Sequence, residues 1–267
     1  MGVDESSTPP QFSHYPGLPP PIRVRLVVTP EHPCSYLPGR VARNRAAWAE
    51  QVPGSVYHQF MDAGFRRSGK VLYQPVCRGC RRCQMIRVPV DTFRPGKSQR
   101  RCRRRNEDLV VTSDNPVPTE EKFALYLRYA TDWHGKDKTE EDRDSFESFL
   151  YDSPVDTVEY CYRDGAGRLL AVGICDVCPE SFSSVYFYHD PAEARRGLGT
   201  FGALVEIDEA RRMGIRHYYL GYWVDGCGAM QYKESFRPNE VLHSDGVWRP
   251  HRADAGGPGG EGADSLV

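Results

Sequence analysis

Between Gly64 and Arg105 the chain carries fourteen Lys or Arg residues and one acid, Asp91, and it closes on Arg100-Arg101-Cys102-Arg103-Arg104-Arg105. The whole protein has a formal charge of −1, so this positive charge belongs to one segment and not to the bulk. A local field of that kind attracts a polyanion, and each phosphate contact releases condensed counterions. Nucleic acid is the first partner to expect. A merely solvated basic face fits less well, because apolar strand-like runs, Val71-Leu72-Tyr73 and Met85-Ile86-Arg87-Val88, interrupt the charge. A folded segment must hold its like charges together, and a bound anion relieves that repulsion. In the same segment Cys77, Cys80 and Cys83 stand at the spacing of thiolate ligands for zinc or an iron–sulfur cluster, with Cys34 or Cys102 as a fourth ligand. The alternative is reduced thiols in a turn crowded by Arg78, Arg81 and Arg82, whose charges would lower the thiol pKa values.

The bulk composition narrows the setting. With 267 residues, 27% charged and 11% aromatic, the chain suits a soluble globular protein with a real core. No run of about 18 apolar residues occurs, so no transmembrane helix is expected and no membrane partner either. Nine cysteines, an odd count, and a proline-rich start without an apolar secretory region argue for thiols or a metal over a disulfide framework, and for a cytoplasmic protein.

The elements that must position these residues divide into two units between two tails. Residues 1–21 and 253–267, rich in Pro and Ser or in Gly, read as disordered. A basic unit spans 22–114. Ile22 to Val28 reads as a strand. Ser55 can cap a helix carrying Val56, Phe60 and Phe65, and a hairpin-like pair at 71–76 and 85–90 flanks the cysteines. A second unit, 115–252, opens with a helix capped by Thr119, with Phe123, Tyr126, Leu127, Ala130 and Trp133 at helical spacing. Another helix covers Asp144 to Tyr151. From Asp114 to Glu159 there are thirteen acids and five bases, so the charge reverses across the boundary. Strands are expected at Thr157–Arg163, Arg168–Val177 and Ser183–His189, then a helix through Phe201 and Leu204 closed by Gly214, and a final strand His217–Val224. Antiparallel strands, a Gly-containing turn, a helix and a strand suggest an acyltransferase type of fold. Arg195-Arg196-Gly197-Leu198-Gly199 falls where that fold cradles a pyrophosphate, although the glycine spacing departs from a coenzyme A loop. No Walker-type nucleotide loop occurs.

Four strings, "HPCSYLPGR" at 32–40, "GFRRSGKVLYQPVCRGCRRC" at 64–83, "FRPGKSQRRCRRR" at 93–105 and "YLGYWVDGCGAMQYKESFRP" at 219–238, resemble in order and spacing the arginyl-tRNA–protein transferase family. Within it they are most similar to the compact bacterial branch that transfers leucine. The resemblance covers roughly residues 22–240. It implies an α+β protein with an N-acetyltransferase-like C-terminal domain and a smaller basic, cysteine-containing N-terminal unit. It also implies an aminoacyltransferase that moves leucine from Leu-tRNA to the N-terminal Asp or Glu of proteins, marking them for N-end-rule degradation. The alternatives are arginyl transfer from Arg-tRNA to the same acceptors, a non-catalytic metal-linked RNA-binding module, and a coenzyme A acetyltransferase. Eukaryotic relatives use cysteines in this region for an iron–sulfur cluster. Here Leu37 stands where their first Cys-x-x-Cys pair has its second ligand.

The activated ester of an aminoacyl-tRNA needs no triphosphate and no required cofactor. It needs a basic surface for the tRNA, a cation for the acidic acceptor and an aligned amine. Arg100, Arg101, Arg103, Arg104 and Arg105 are expected on tRNA phosphates, with Arg81, Arg82, Arg66 and Arg67 behind them. Arg40 and Arg78, with Lys97 and Ser98, are expected to bind the acceptor. Cys34, Cys77, Cys80 and Cys83 are the metal candidates. Among the tyrosine-rich strands the catalytic candidates are Asp190 as base, Tyr222, and Lys233 as oxyanion or phosphate partner. Alternation puts Tyr186 with Tyr188, and Tyr218 and Leu220 with Tyr222, on shared faces.

Overall fold

A computed structural model describes residues 24–133 and 142–251. The tails at 1–21 and 253–267, and the first residues of the strand expected from Ile22, lie outside the described residues. The basic half runs through strands β1 (Val27–Val28), β2 (His32–Pro33), β3 (Val41–Ala42) and β4 (Asn44–Trp48), then helix α1 (Gly54–Asp62). It continues through β5 (Arg66–Ser68), β6 (Val71–Pro75), β7 (Cys83–Pro89), α2 (Lys97–Arg105) and β8 (Val110–Asp114). Then come α3 (Glu120–Arg128), α4 (Arg143–Leu150), β9 (Thr157–Arg163), β10 (Leu169–Val177) and β11 (Ser181–His189). The rest is α5 (Leu198–Arg212), β12 (His217–Val224), α6 (Gly228–Gln231), β13 (Glu240–Leu242) and β14 (Trp248–Pro250).

The main sheet has eight strands in the order β14-β13-β7-β12-β11-β10-β9-β8. Its heart is an antiparallel run β8 to β11, a helix α5, and β12 laid parallel to β11. This is the α+β arrangement expected of an acyltransferase fold. Thr119 caps α3 by accepting from the Lys122 amide, and Asp142 caps α4 by accepting from the Ser145 amide. Phe201, Leu204, Ile207 and Ala210 of α5 are buried on one face of the sheet with Phe93 and Cys102, while Leu125 and Phe146 of α3 and α4 pack with Val172, Ile174 and Tyr188 on the other. Helices on both faces explain why β10 is buried along nearly its whole length.

Three expectations change. The runs at 71–76 and 85–90 form no hairpin: β6 pairs with β4 and β5 in a small four-stranded sheet, and β7 pairs with β12 and β13 in the large one. Met85, Ile86 and Val88 are all fully buried, which only an interior strand allows. Helix α1 starts at Gly54 with Pro53 in the cap position, Ser55 makes no cap, and Phe65 lies beyond its end. Strand β12 is followed by β13 and β14, which extend the sheet past β7.

The small sheet is bolted to the large one by neighbouring arginines of β5. Arg67 Nε and Nη2 each donate to a carboxylate oxygen of Asp176 at 2.7 Å, and both side chains are 0% exposed. Removing one partner of such a pair leaves a buried unpaired charge. Asp176→Asn is therefore expected to destabilise the fold by about 3–5 kcal/mol, read as a fall in the urea midpoint at pH 7; a midpoint equal to wild type would refute this.

Candidate active site

Strands β11 and β12 pair only where Ser181–Ser183 face His217–Tyr219. Beyond that they part, and the gap opens into a cavity of about 670 Å³. Tyr129, Phe149 and Tyr186 form an aromatic wall, with the Phe149 and Tyr186 rings 5.1 Å apart. Tyr36, Tyr73, Tyr222 and Met230 form the opposite wall. The first turn of α5, Leu198–Thr200, with Gly197 before it, makes a third side and brings helix N–H groups to the rim.

Arg66 is wedged into the parting of the strands. Its Nη1 donates to Ser183 Oγ at 2.8 Å, and its Nη2 to the Ser184 and Val185 carbonyls at 2.5 and 3.3 Å. Gly221, at φ +86°, leaves it room: a Cβ there would stand 3.1 Å from Arg66 Cζ. Gly221 also marks a bulge in β12 against β7, between Tyr219 and Gly221. The extra residue breaks the alternation. Tyr222 therefore packs with Tyr219, and not with Tyr218 and Leu220 as period two predicts.

Two further ionisable groups line the cavity. Lys233 rides on the short turn Tyr232–Ser235 after α6, is 7% exposed, and donates from Nζ to the Tyr222 carbonyl at 2.7 Å. Burial, then the charge of Arg66, push its ammonium down to about 7. Glu206 projects from α5 and accepts from the Tyr218 hydroxyl at 2.6 Å. Burial pushes its carboxyl up to about 7, opposed by hydrogen bonds from Tyr218, Ser184 and Cys175 and by Arg66. An amine and a carboxyl that both titrate near neutrality in one cleft are what proton transfer requires.

The other candidates fall in several places. Tyr222 lines the cavity, but its hydroxyl is spent on the Gly64 carbonyl at 2.9 Å. Asp190 is not among the cavity walls. Its carboxylate caps the following turn at the Ala192 amide, 3.0 Å away, with Arg128 and Arg168 at 3.8 and 4.0 Å, so the geometry makes it a turn-starting residue and not a base. Arg67 is consumed by Asp176 and Arg66 is buried, so neither offers a surface contact to tRNA. Arg40 and Arg78 are exposed and outside the cavity, as are Lys97 and Ser98 at the start of α2. Arg81 and Arg82 are exposed, with Arg82 reaching the Asp225 carbonyl on the turn into α6.

On α2, Gln99, Cys102 and, just past its end, Asn106 form the buried side, at i, i+3 and i+7. Asn106 Nδ2 donates to the Arg196 carbonyl at 2.9 Å, Cys102 Sγ lies against the Gly197 carbonyl, and Gln99 Nε2 donates to the Ser235 carbonyl at 3.3 Å. Helix α2 thus clamps both turns that carry the rim. Lys97, Arg101 and Arg104 stripe the exposed side, joined by Arg100 and Arg105. Arg103 is half-buried and ion-paired to Asp208 at 2.7 Å.

The thiols at 34, 77, 80 and 83 are free and half-buried. Burial and the neighbouring cysteines, Cys77 foremost, push Cys83 up to about 12, the reverse of the lowering expected from the flanking arginines. Cys77 Sγ sits 3.5 Å from the Arg43 amide, and Cys102 is enclosed between α2 and α5. Among the described residues no three His, Cys, Asp or Glu side chains are gathered to hold a metal ion. Cys34, Cys77 and Cys80 each act on Cys83 electrostatically, so the four candidate thiols share one neighbourhood.

Sequence reading missed Arg66 as a cavity residue, and Glu206 altogether. Glu206 had a signal: it is a carboxyl inside the apolar stripe of Ala203, Ile207 and Ala210.

Residues 32–101 match the family model described as arginine-tRNA-protein transferase, N terminus, and residues 121–243 match that of its C terminus. The aspartate/glutamate leucyltransferase of Halorhodospira halophila (strain DSM 244 / SL1) is 42% identical over 85% of this chain and 97% of its own. That of Pseudomonas putida (strain W619) is 41% identical over 82% of this chain and 94% of its own. The crystal structure of FemX matches with a TM-score of 0.48 at 10% identity, covering 82% of this chain and 85% of that one.

Proposed function

Because the chain belongs to the arginyl-tRNA–protein transferase family, in its bacterial aspartate/glutamate leucyltransferase branch, we propose that it moves leucine from Leu-tRNA to the N-terminal Asp or Glu of a protein, and that the product is an N-end-rule degradation signal in the cytoplasm. Among the described residues no helix is long and apolar enough to cross a membrane. The observation that carries the reading is a junction: a helix with an exposed arginine stripe is clamped onto the rim of a cavity whose floor holds Lys233 and Glu206.

The exposed arginines of α2 take tRNA phosphates and lead the acceptor end to the rim. The start of α5 offers N–H groups to a terminal phosphate oxygen. The aromatic and apolar walls suit a leucyl side chain and a stacked base. Among the described lining residues the one acid, Glu206, is already bonded to Tyr218, which disfavours an arginyl donor. In the reaction the acceptor's α-amine attacks the ester carbonyl, a C–N bond forms, and the ribose C–O bond breaks. The amine has an ordinary pKa near ~8, so Lys233 in its neutral form takes the proton released on attack. As an ammonium it then returns that proton to the departing ribose oxygen. Holding ester and amine together in the cleft supplies the rest of the acceleration.

The test supplies labelled Leu-tRNA and Arg-tRNA separately, with peptides starting Asp, Glu, Lys or Ala. Label is expected only from Leu-tRNA and only on the Asp and Glu peptides. Tight tRNA binding without transfer would instead support an RNA-binding module, and transfer from Arg-tRNA alone would move the donor assignment.

A further inference from the structure

The two arginines that open β5 differ in one respect. Arg67 is neutralised by Asp176, while Arg66, equally part of the interior, forms no ion pair with any described carboxylate. Its partners are one hydroxyl and two carbonyls, and its Nε donates to none of the described residues. Among the described lining residues Arg67 is paired with Asp176, and Lys233 and Glu206 both titrate near 7, so near neutrality their charges offset each other. Arg66 brings a fixed positive charge to the same lining. A buried guanidinium without a counter-ion is costly, and a carboxylate is the anion whose planar fork matches it best.

Resting on the leucyl-transfer reading, we propose that Arg66, held in the parting of β11 and β12 by Ser183 and the space left at Gly221, is the residue that binds the side-chain carboxylate of the acceptor's N-terminal Asp or Glu. This replaces the surface arginines Arg40 and Arg78 in that role. A phosphate of the tRNA is the competing anion. The geometry favours the carboxylate, because Arg66 lies within the sheet while exposed arginines stand ready for phosphates at the rim. Asp and Glu differ by one methylene, and a guanidinium at the end of an open cleft tolerates both.

The experiment compares peptides starting Asp and Asn, which differ only in that charge, with Leu-tRNA as donor. Wild type is expected to favour the Asp peptide by about 10²-fold or more in kcat/KM. Arg66→Gln is expected to bring the two peptides within about tenfold, through KM for the Asp peptide, with KM for Leu-tRNA unchanged. Arg66→Lys, which keeps the charge and much of the volume, is expected to retain an intermediate preference, and it decides the matter by the same ratio if the Gln variant does not fold. Equal losses on both peptides, or an unchanged ratio, would overturn the assignment. A raised KM for Leu-tRNA with the Asp preference intact would hand Arg66 to phosphate and overturn it too. Absence of transfer by wild type to either peptide would instead sink the activity on which the assignment rests.

Discussion

Lys233→Met is expected to lower kcat for leucyl transfer by about 10²- to 10⁴-fold and, at the same time, to make the protein more stable at pH 6. The two effects have one cause. Burial and the charge of Arg66 hold the Lys233 ammonium down at about 7, well below the ordinary lysine value near ~10.4. In the window between those values the unfolded chain binds the extra proton, so stability rises with pH from about 7 to about 10.5. Below about 7 the buried lysine is charged and its full penalty is present. Methionine carries no such penalty, so its advantage is largest below pH 7 and fades as the pH climbs through that window. Glu206 works with the opposite sign. Its carboxyl is raised to about 7, so the folded state binds the extra proton above the ordinary value near ~4.3, and stability falls as pH rises from there to about 7. Together the pair predicts a shallow minimum in wild-type stability near neutrality, whose alkaline arm disappears in Lys233→Met and whose acid arm disappears in Glu206→Gln. Urea titrations at pH 5.5, 7 and 9 check the arms. The acid limb of the wild-type kcat profile, expected to bend near 7, checks the catalytic half. A Met variant that keeps wild-type turnover would remove Lys233 from the chemistry.

What could be read from the sequence follows how local each signal is. Thr119 before an amphipathic run and the alternating strand runs from Thr157 to His189 are local, and α3, β9, β10, β11 and β12 stand within a few residues of their expected bounds. Strand β7 was legible as a strand but not in its placement, because pairing with β12 instead of β6 is decided by residues far along the chain. The cavity was legible only in part. Lys233 and Tyr222 were found in a run of chemistry-bearing side chains, yet the face Tyr222 occupies depends on the bulge at Gly221. The arginines of the basic segment look alike in sequence. Only the fold separates Arg67, spent on Asp176, and Arg66, turned into the cleft, from Arg101 and Arg104, left to solvent. Asp190 shows the converse error: an acid beside a tyrosine strand suggests a base, while the proline that follows it already marks the start of a turn.

Arg101→Glu combined with Arg104→Glu is expected to weaken Leu-tRNA binding about 10²-fold at low salt and to reduce the slope of log affinity against log salt by about 2. These two positions lie on the exposed stripe of α2, and no described carboxylate pairs with either. Arg103 is a poor choice for the same experiment, since reversing it would set a second acid against Asp208 and disturb the packing of α2 on α5. Turnover at saturating Leu-tRNA should stay near wild type, because the stripe faces away from Lys233 and the buried side of α2 is untouched. Stability separates loss of binding from loss of fold. The exposed cations at 97, 100, 101, 104 and 105 stand three or four residues apart and repel one another by about 0.2–0.5 kcal/mol per pair, so replacing two of them by acids should leave the melting temperature unchanged or higher. A variant that melts normally and still binds Leu-tRNA with the wild-type salt slope would show that the tRNA approaches by another path. The exposed Arg81 and Arg82, beside the turn into α6, would then be the positions to reverse.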